Sequence, residues 1–313
     1  MKQIIYISLL LIAIPFFIVI ISSFEGEIPK DEQKELEVEE KVYVRLKREK
    51  TGNIEKIELE EYVLGVLAGE MPVSFHIEAL KAQAVASRSY VLKRLKYNKE
   101  NDYDVVDSVT NQVYLDNSYL EEKWLDKYNE NIAKLKKAVT ETKLECIFYE
   151  GEIADALFFS TSNGFTENSE EIFNNTVPYL RSVESVWDEK TSPVFNDQKT
   201  YNKNDFYNML GIKKSKKLET RITEYSDSGR IVKIKINGIE MKGSDVRTKL
   251  GLRSTDFQIQ EEGEKIIIKT SGFGHGVGMS QYGALGMANE GYKYDEILKY
   301  YYQGISINKY KNK

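Results

Sequence analysis

The sequence predicts an α+β fold: one mixed extracytoplasmic domain of hairpins and several helices around a substrate cleft, preceded by one transmembrane helix. Three observations predict it. Short alternating apolar segments, bounded by turn residues, recur along the chain and read as antiparallel strands. The helical patterns stand apart from them and do not follow strands one by one. Residues 4–24 form an apolar run of bilayer length.

The elements follow in order. Residues 1–3 read as a cytoplasmic tail and residues 4–24 as a membrane anchor, since Ile4 to Ser23 is almost wholly apolar. A cleaved signal peptide is the competing reading. The run is long for one, and Phe24-Glu25-Gly26-Glu27 offers no small-residue cleavage site. Lys2 ahead of the run and an acidic flank behind it put the N-terminus inside and the bulk of the chain outside. Residues 25–41 are charged and poor in large apolar side chains, which makes them a tether; residues 42–313 form the remaining domain.

Within that domain, Val42 to Leu46 alternates as a strand, Thr51-Gly52-Asn53 turns, and Ile54 to Leu59 returns. A helix runs from Leu59 to Glu70 and stops at Pro72. A second helix, Ile77 to Leu95, carries small residues at Ala79, Ala82, Ala84 and Ala86 that allow close packing. Ser118 to Thr140 reads as one charged outer helix. Strands are expected at Lys143–Tyr149 and Ala154–Ser160, then a polar loop from Glu184 to Asn202. Lys203 to Leu210 suits a short helix, and Glu219–Tyr225, Ile231–Ile236 and Ile239–Met241 suit strands. Gly243 to Gly251 reads as a helix capped by Ser244, with Val246 and Leu250 facing inward. Ile266–Thr270 is a strand, and helical segments at Ser280–Asn289 and Tyr294–Tyr301 close the chain.

Composition narrows the function. With 41% hydrophobic and 30% charged residues, the 313-residue chain is ordinary globular material with enough length for a real core. A net charge of -5 gives nucleic acid no electrostatic footprint. The single cysteine, Cys146, excludes an intrachain disulfide and sits in an apolar strand, where a buried thiol is expected. One cysteine with His76 and His275 is poor material for structural zinc.

Three segments can carry chemistry. Tyr62, Val63, Val66, Leu67 and Glu70 share one helix face, so a carboxyl stands at the end of an apolar stripe. Burial there raises a carboxyl's pKa and keeps it protonated, as a leaving glycosidic oxygen requires. An exposed helix-end glutamate fits the same pattern. Ser160-Thr161-Ser162-Asn163-Gly164-Phe165-Thr166-Glu167 is either a strand end presenting hydroxyls to a ligand or a plain Asn-Gly turn. Gly272 to Gly283 surrounds His275 with glycines but matches no phosphate-binding motif. Close backbone approach to a ligand and a packed turn both fit it.

Taken together, these segments resemble the stage II sporulation protein D family. Gly69-Glu70-Met71-Pro72, with the run from Glu78 to Tyr90, resembles its opening signature. The Ser160–Glu167 stretch and Gly274-His275-Gly276-Val277-Gly278-Met279-Ser280-Gln281-Tyr282-Gly283-Ala284 resemble its second and third. Pro178-Tyr179-Leu180 with Ser182-Val183 fits as well, and the resemblance spans roughly Val42 to Gly304.

The resemblance implies a lytic transglycosylase that cleaves the MurNAc–GlcNAc bond without water and leaves a 1,6-anhydro-MurNAc end. The implied substrate is a glycan strand already stripped of stem peptides by an amidase of the stage II sporulation protein P type. The implied setting is forespore engulfment, with a membrane recruiting protein and the enzyme anchored in the mother-cell membrane facing the forespore. Glu70 matches the catalytic glutamate, and Lys81 and Arg88 match a basic pair on one helix face, expected to meet the lactyl carboxylate of MurNAc. Ser160, Thr161, Ser162, Asn163, Thr166, Tyr179, His275 and Gln281 are the expected sugar-holding residues, and Glu167 is the fallback second carboxyl. Some members hold zinc through two cysteines whose positions here are Val106 and Asn111, so no metal and no cofactor is expected. Relatives with these motifs act as amidase enhancers, which leaves a non-catalytic wall-binding protein or an amidase-recruiting scaffold as rival readings.

Overall fold

The computed structural model describes residues 41–173 and 175–311. The expected anchor, and the tether up to Glu40, lie outside them. Among the described residues no helix is long and apolar enough to cross a membrane.

Strands β1 (Tyr43–Lys47) and β2 (Ile54–Glu58) form the expected hairpin, with Leu46 opposite Glu55, and β3 (Val105–Val106) adds in parallel to β1. Helix α1 (Leu59–Glu70) follows at once and buries the expected stripe of Tyr62, Val63, Val66 and Leu67. It ends where Met71 turns extended ahead of Pro72. Helix α2 (Ile77–Tyr97) starts at His76, whose Nδ1 accepts the Glu78 N–H at 3.3 Å. Ala79, Ala82, Ala84 and Ala86 are fully buried, so α2 is the central helix and its neighbours approach closely on several sides.

The single outer helix expected at Ser118–Thr140 is two: α3 (Asn117–Trp124) and α4 (Tyr128–Glu141), joined by a short 3₁₀ turn. The break is at Leu125, whose φ of 49° interrupts the i→i−4 ladder with no glycine or proline to signal it. Each piece turns its own apolar residues inward, Leu120 on α3 and Leu135 and Val139 on α4. Strand β4 (Glu145–Tyr149), carrying the buried Cys146, pairs with β5 (Glu152–Ile153) and with β14 (Ser306–Lys309). The strand expected over Ala154–Ser160 contracts to β6 (Phe158–Phe159), which runs parallel to β13 (Met279–Ser280). Two short helices follow, α5 (Ser169–Phe173) and α6 (Trp187–Thr191).

A second hydrophobic cluster, containing Phe206, Ile234, Val246 and Ile268, lies under residues 196–271. The loop expected at Glu184–Asn202 holds α6 and then β7 (Asn196–Asn202), an edge strand paired to β12 (Lys265–Ser271). Its polar sequence hides it, because its hydrogen-bond partners lie far along the chain. β11 (Phe257–Glu262) completes that sheet, and β8 (Thr220–Tyr225), β9 (Ile231–Ile236) and β10 (Ile239–Lys242) form another. Helices α7 (Lys203–Leu210) and α8 (Gly243–Lys249) cover the cluster. Val246 and Leu250 are buried as expected, but the α8 cap position is Lys242 without a side-chain bond, so Ser244 is not the cap. Helices α9 (Gln281–Asn289) and α10 (Tyr294–Tyr301) pack back onto α2. The result is a mixed α+β domain.

Candidate active site

Glu70 is the last residue of α1, and its position depends on Gly69. A Cβ on Gly69 would stand 2.4 Å from the Val113 carbonyl oxygen, so only glycine lets the 109–115 segment lie against the helix end. That contact brings the Val113 N–H to Glu70 Oε1 at 2.7 Å. Burial pushes the Glu70 carboxyl above its ordinary value, and hydrogen bonds from the Val113 backbone and the Gln281 side chain pull part of the way back.

Glu70 opens into a cavity of about 500 Å³. Ser160, His275 and Gln281 line it too, so one residue or more from each of the three sequence segments meets here. The convergence has visible causes. The parallel β6–β13 pair aligns the second segment with the third. Gly278 lies so close to β6 that a Cβ would stand 2.0 Å from the Leu157 carbonyl oxygen. Asp188 on α6 then ties the two together: it accepts the Ser162 N–H at 2.9 Å, the Ser185 hydroxyl at 2.6 Å and the Ser280 hydroxyl. Asp188 is fully buried, and burial raises its pKa against those donors. Ser280 also caps α9 through the Gly283 N–H, which fixes the neighbouring Gln281 at the cavity wall.

His275 is a wall. Its Nδ1 accepts the Val277 N–H at 3.0 Å, and a hydrogen bond with the Phe158 backbone opposes part of the shift in its pKa. Burial lowers its pKa to about 4, with Arg247 and Arg230 adding to the effect. The imidazole is therefore neutral near pH 7, with Nδ1 occupied and its ring packed against Phe159 and Phe173.

Other expected contact residues lie elsewhere. Thr161 is buried on Ser192, with Oγ1 and Oγ 2.8 Å apart; its neighbour Ser160 stands 3.2 Å from the same Thr161 hydroxyl. The Ser162 hydroxyl donates to the Ser185 carbonyl, and Asn163 donates to Asp256 Oδ2 at 2.9 Å. The Thr166 hydroxyl donates to the Arg181 carbonyl at 3.2 Å. These four residues build the frame behind the cavity. Tyr179 is buried, and its hydroxyl accepts the Asp155 N–H at 2.8 Å.

Three of the expected residues lie outside the cavity lining. Glu167, the fallback second carboxyl, is 1% exposed and accepts from Ser226 at 2.8 Å and Ser228 at 2.7 Å, with Arg230 beside it, so it does not face the cavity. Arg88 is 0% exposed. Its guanidinium binds Glu60 at 2.9 and 2.6 Å and the Glu145 carbonyl at 3.0 Å, which leaves it no surface for a substrate carboxylate. Lys81 shares the helix face but is spent on Glu78 at 3.0 Å and Glu141 at 2.7 Å, outside the cavity lining.

Among the polar lining residues, sequence reasoning missed Tyr90, Arg94, Thr110 and Asn111. The available signal was the i,i+4 spacing of Tyr90 and Arg94, whose guanidinium lies 4.5 Å from the Tyr90 ring centroid. Asn111 occupies one of the two positions that the resemblance matches to cysteines in some family members. Its Oδ1 accepts the N–H of Val106, the other position, at 2.9 Å, and its Nδ2 donates to the Tyr90 hydroxyl at 3.0 Å. A hydrogen bond thus joins the two positions. Among the described residues no group of acidic, histidine and cysteine side chains is placed to hold a metal ion.

Comparison with known proteins places this geometry in context. A family model described as stage II sporulation protein matches residues 47–149, which include Glu70 and Asn111 but end before Ser160. The chain is 42% identical over 275 residues to stage II sporulation protein D of Bacillus amyloliquefaciens, covering 86% of this chain and 80% of that one. It is 42% identical over 272 residues to stage II sporulation protein D of Bacillus subtilis, covering 85% and 79%. The amidase enhancer of Bacillus subtilis is 28% identical over 300 residues, covering 79% of this chain and 40% of that protein.

Proposed function

Because the chain belongs to the stage II sporulation protein D family, we propose that it is a lytic transglycosylase that cleaves peptidoglycan glycan strands during sporulation. The observation that carries this reading is that, among the described residues, Glu70 is the one carboxyl lining the cavity, half-buried and with its pKa raised. Most glycosidases use two carboxyls, one of them to activate water or attack the sugar. A site with one carboxyl suits a reaction whose nucleophile belongs to the substrate.

The cycle balances on that single group. Protonated Glu70 donates to the glycosidic oxygen as the bond from C1 of MurNAc breaks. The resulting carboxylate takes the proton from the MurNAc C6 hydroxyl as O6 closes on C1. The product is a 1,6-anhydro end, and Glu70 is protonated again. Gln281 and the Val113 N–H support the carboxylate stage, because each hydrogen-bonds the charged form. Ser160 and Gln281 offer polar contacts to sugar hydroxyls, and His275 shapes the wall.

The substrate is the strand left after an amidase of the stage II sporulation protein P type has removed the stem peptides. The setting is engulfment, with the domain held outside the cytoplasm by the N-terminal segment and brought to the amidase by a membrane recruiting protein. The likeness to an amidase enhancer keeps a second reading open, in which the cavity binds wall glycan and stimulates an amidase without cleaving.

Mass spectrometry of digested, peptide-free strands tests the proposal with wild type and Glu70→Gln. Anhydro ends with wild type and none with Glu70→Gln are expected. Reducing ends mean hydrolysis, and strand binding without cleavage by the wild type favours the enhancer reading.

A further inference from the structure

We infer that Arg94 is the specificity-determining residue of this cavity and binds a carboxylate carried by the sugar whose glycosidic bond is cleaved. The inference rests on the reading of the cavity as the glycan-cleaving site. Among the described residues, Arg94 is the sole lysine or arginine lining the cavity. The other basic side chain there, His275, is neutral near pH 7, with its pKa lowered to about 4 and its Nδ1 accepting the Val277 N–H. The basic residues earlier on α2 are used up, Arg88 by Glu60 and Lys81 by Glu78 and Glu141.

The surroundings of Arg94 hold the guanidinium in place before a ligand arrives. One face lies on the Tyr90 ring. Nη2 alone makes the pair with Asp155, reaching both carboxylate oxygens at 2.9 Å. Asp155 is fixed in turn by the hydroxyl of buried Tyr179, which packs against Tyr149 with ring centroids 5.1 Å apart. Tyr179 therefore acts on the site as a positioning residue, through Asp155. The Arg94–Asp155 pair is partly solvent-exposed, with side chains 22% and 27% accessible, so a ligand can reach it. A planar guanidinium with one nitrogen committed still presents a second edge suited to a carboxylate.

The placement also suits the chemistry at Glu70. The shift of the Glu70 carboxyl comes from burial, Val113 and Gln281, and Arg94 is not among its causes. An anion is recognised in one part of the cavity, while burial raises the pKa of the carboxyl in another. In a peptide-stripped strand the lactyl group of MurNAc ends in a free carboxylate; in a peptide-bearing strand the same carbon is an amide. Arg94 distinguishes the two by charge.

The test compares peptide-free strands with the same strands after their carboxylates are coupled to methylamine. Wild type is expected to prefer the free carboxylate by about tenfold to a hundredfold in kcat/KM, mostly through KM. Arg94→Met is expected to abolish the preference, and Arg94→Lys to restore part of it. Arg94→Gln keeps a donor for Asp155, so it serves if Arg94→Met does not fold. A preference that survives in the folded neutral variant overturns the inference. A second arm separates this from failure of the cleavage reading: binding of both strands to Glu70→Gln and to Glu70→Gln with Arg94→Gln. If no strand is cleaved by wild type, the enzyme reading fails while the binding ratio still decides Arg94; an unchanged ratio overturns its role.

Discussion

The Val113 backbone N–H donates to Oε1 of Glu70 at 2.7 Å, so the proposed acid is held by a loop more than forty residues away in sequence. Burial raises the carboxyl from its ordinary value of 4.5, while Val113 and Gln281 restrain the rise. The protonated form is the one that donates, so kcat/KM falls as pH rises through the Glu70 pKa. That alkaline limb is expected above 4.5. Gln281→Leu removes a bond that favours the charged form and moves the limb to higher pH. The pH profile of kcat/KM for both proteins checks this; an unmoved or lowered limb rules it out.

Arg88→Ala is expected to cost stability. The substitution leaves Glu60 without its bidentate partner, with Glu60 only 14% accessible. Breaking a buried pair from one side typically costs about 3 kcal/mol or more. Urea unfolding at neutral pH reads the loss. The same protein, measured where it is still folded, is expected to bind peptide-free strands like wild type. A stable variant with weakened binding would return Arg88 to the substrate.

His275 makes stability sensitive to acid. Its pKa is lowered from 6.5 to about 4 in the folded protein, chiefly by burial. A depressed folded pKa means the contribution is complete above 6.5 and is lost as pH falls toward 4. The loss from this residue is at most about 3 kcal/mol. Unfolding free energies of wild type and His275→Asn at pH 7 and pH 4.5 are expected to show the steeper acid loss in wild type. Equal losses in the two proteins contradict the assignment.

The Val106–Asn111 hydrogen bond joins the two positions at which the family resemblance implies zinc-binding cysteines in some members. Incubation with a chelator is expected to leave the melting temperature unchanged. Asn111→Ala is expected to lower stability by about 1 kcal/mol, because it removes bonds to the Val106 N–H and the Tyr90 hydroxyl. A chelator-dependent drop in Tm would show that metal is held by some other set of groups.

Several elements were legible because their signals are local. The apolar stripe ending at Glu70, the alanine-rich α2 and the buried Cys146 strand follow from periodicity and composition. The division of the outer helix at Leu125 was not legible, since the residue carries no breaker chemistry and only its φ of 49° reveals it. β7 was hidden for a different reason: its polar residues form a strand only because β12 supplies partners.

Sequence by itself determined the α+β class, the order of the three motifs and the carboxyl that ends α1. Motif matching also named the residues that matter without saying what each one touches. Tertiary structure decided that second question. Glu70, Ser160, His275 and Gln281 share a cavity, whereas Arg88, Glu167 and Asp188 are buried outside its lining. The physical reason is that a charged side chain looks the same in sequence whether it faces a ligand or a buried partner. Only the distances, 2.6 Å from Arg88 to Glu60 and 2.7 Å from Ser228 to Glu167, separate the two uses.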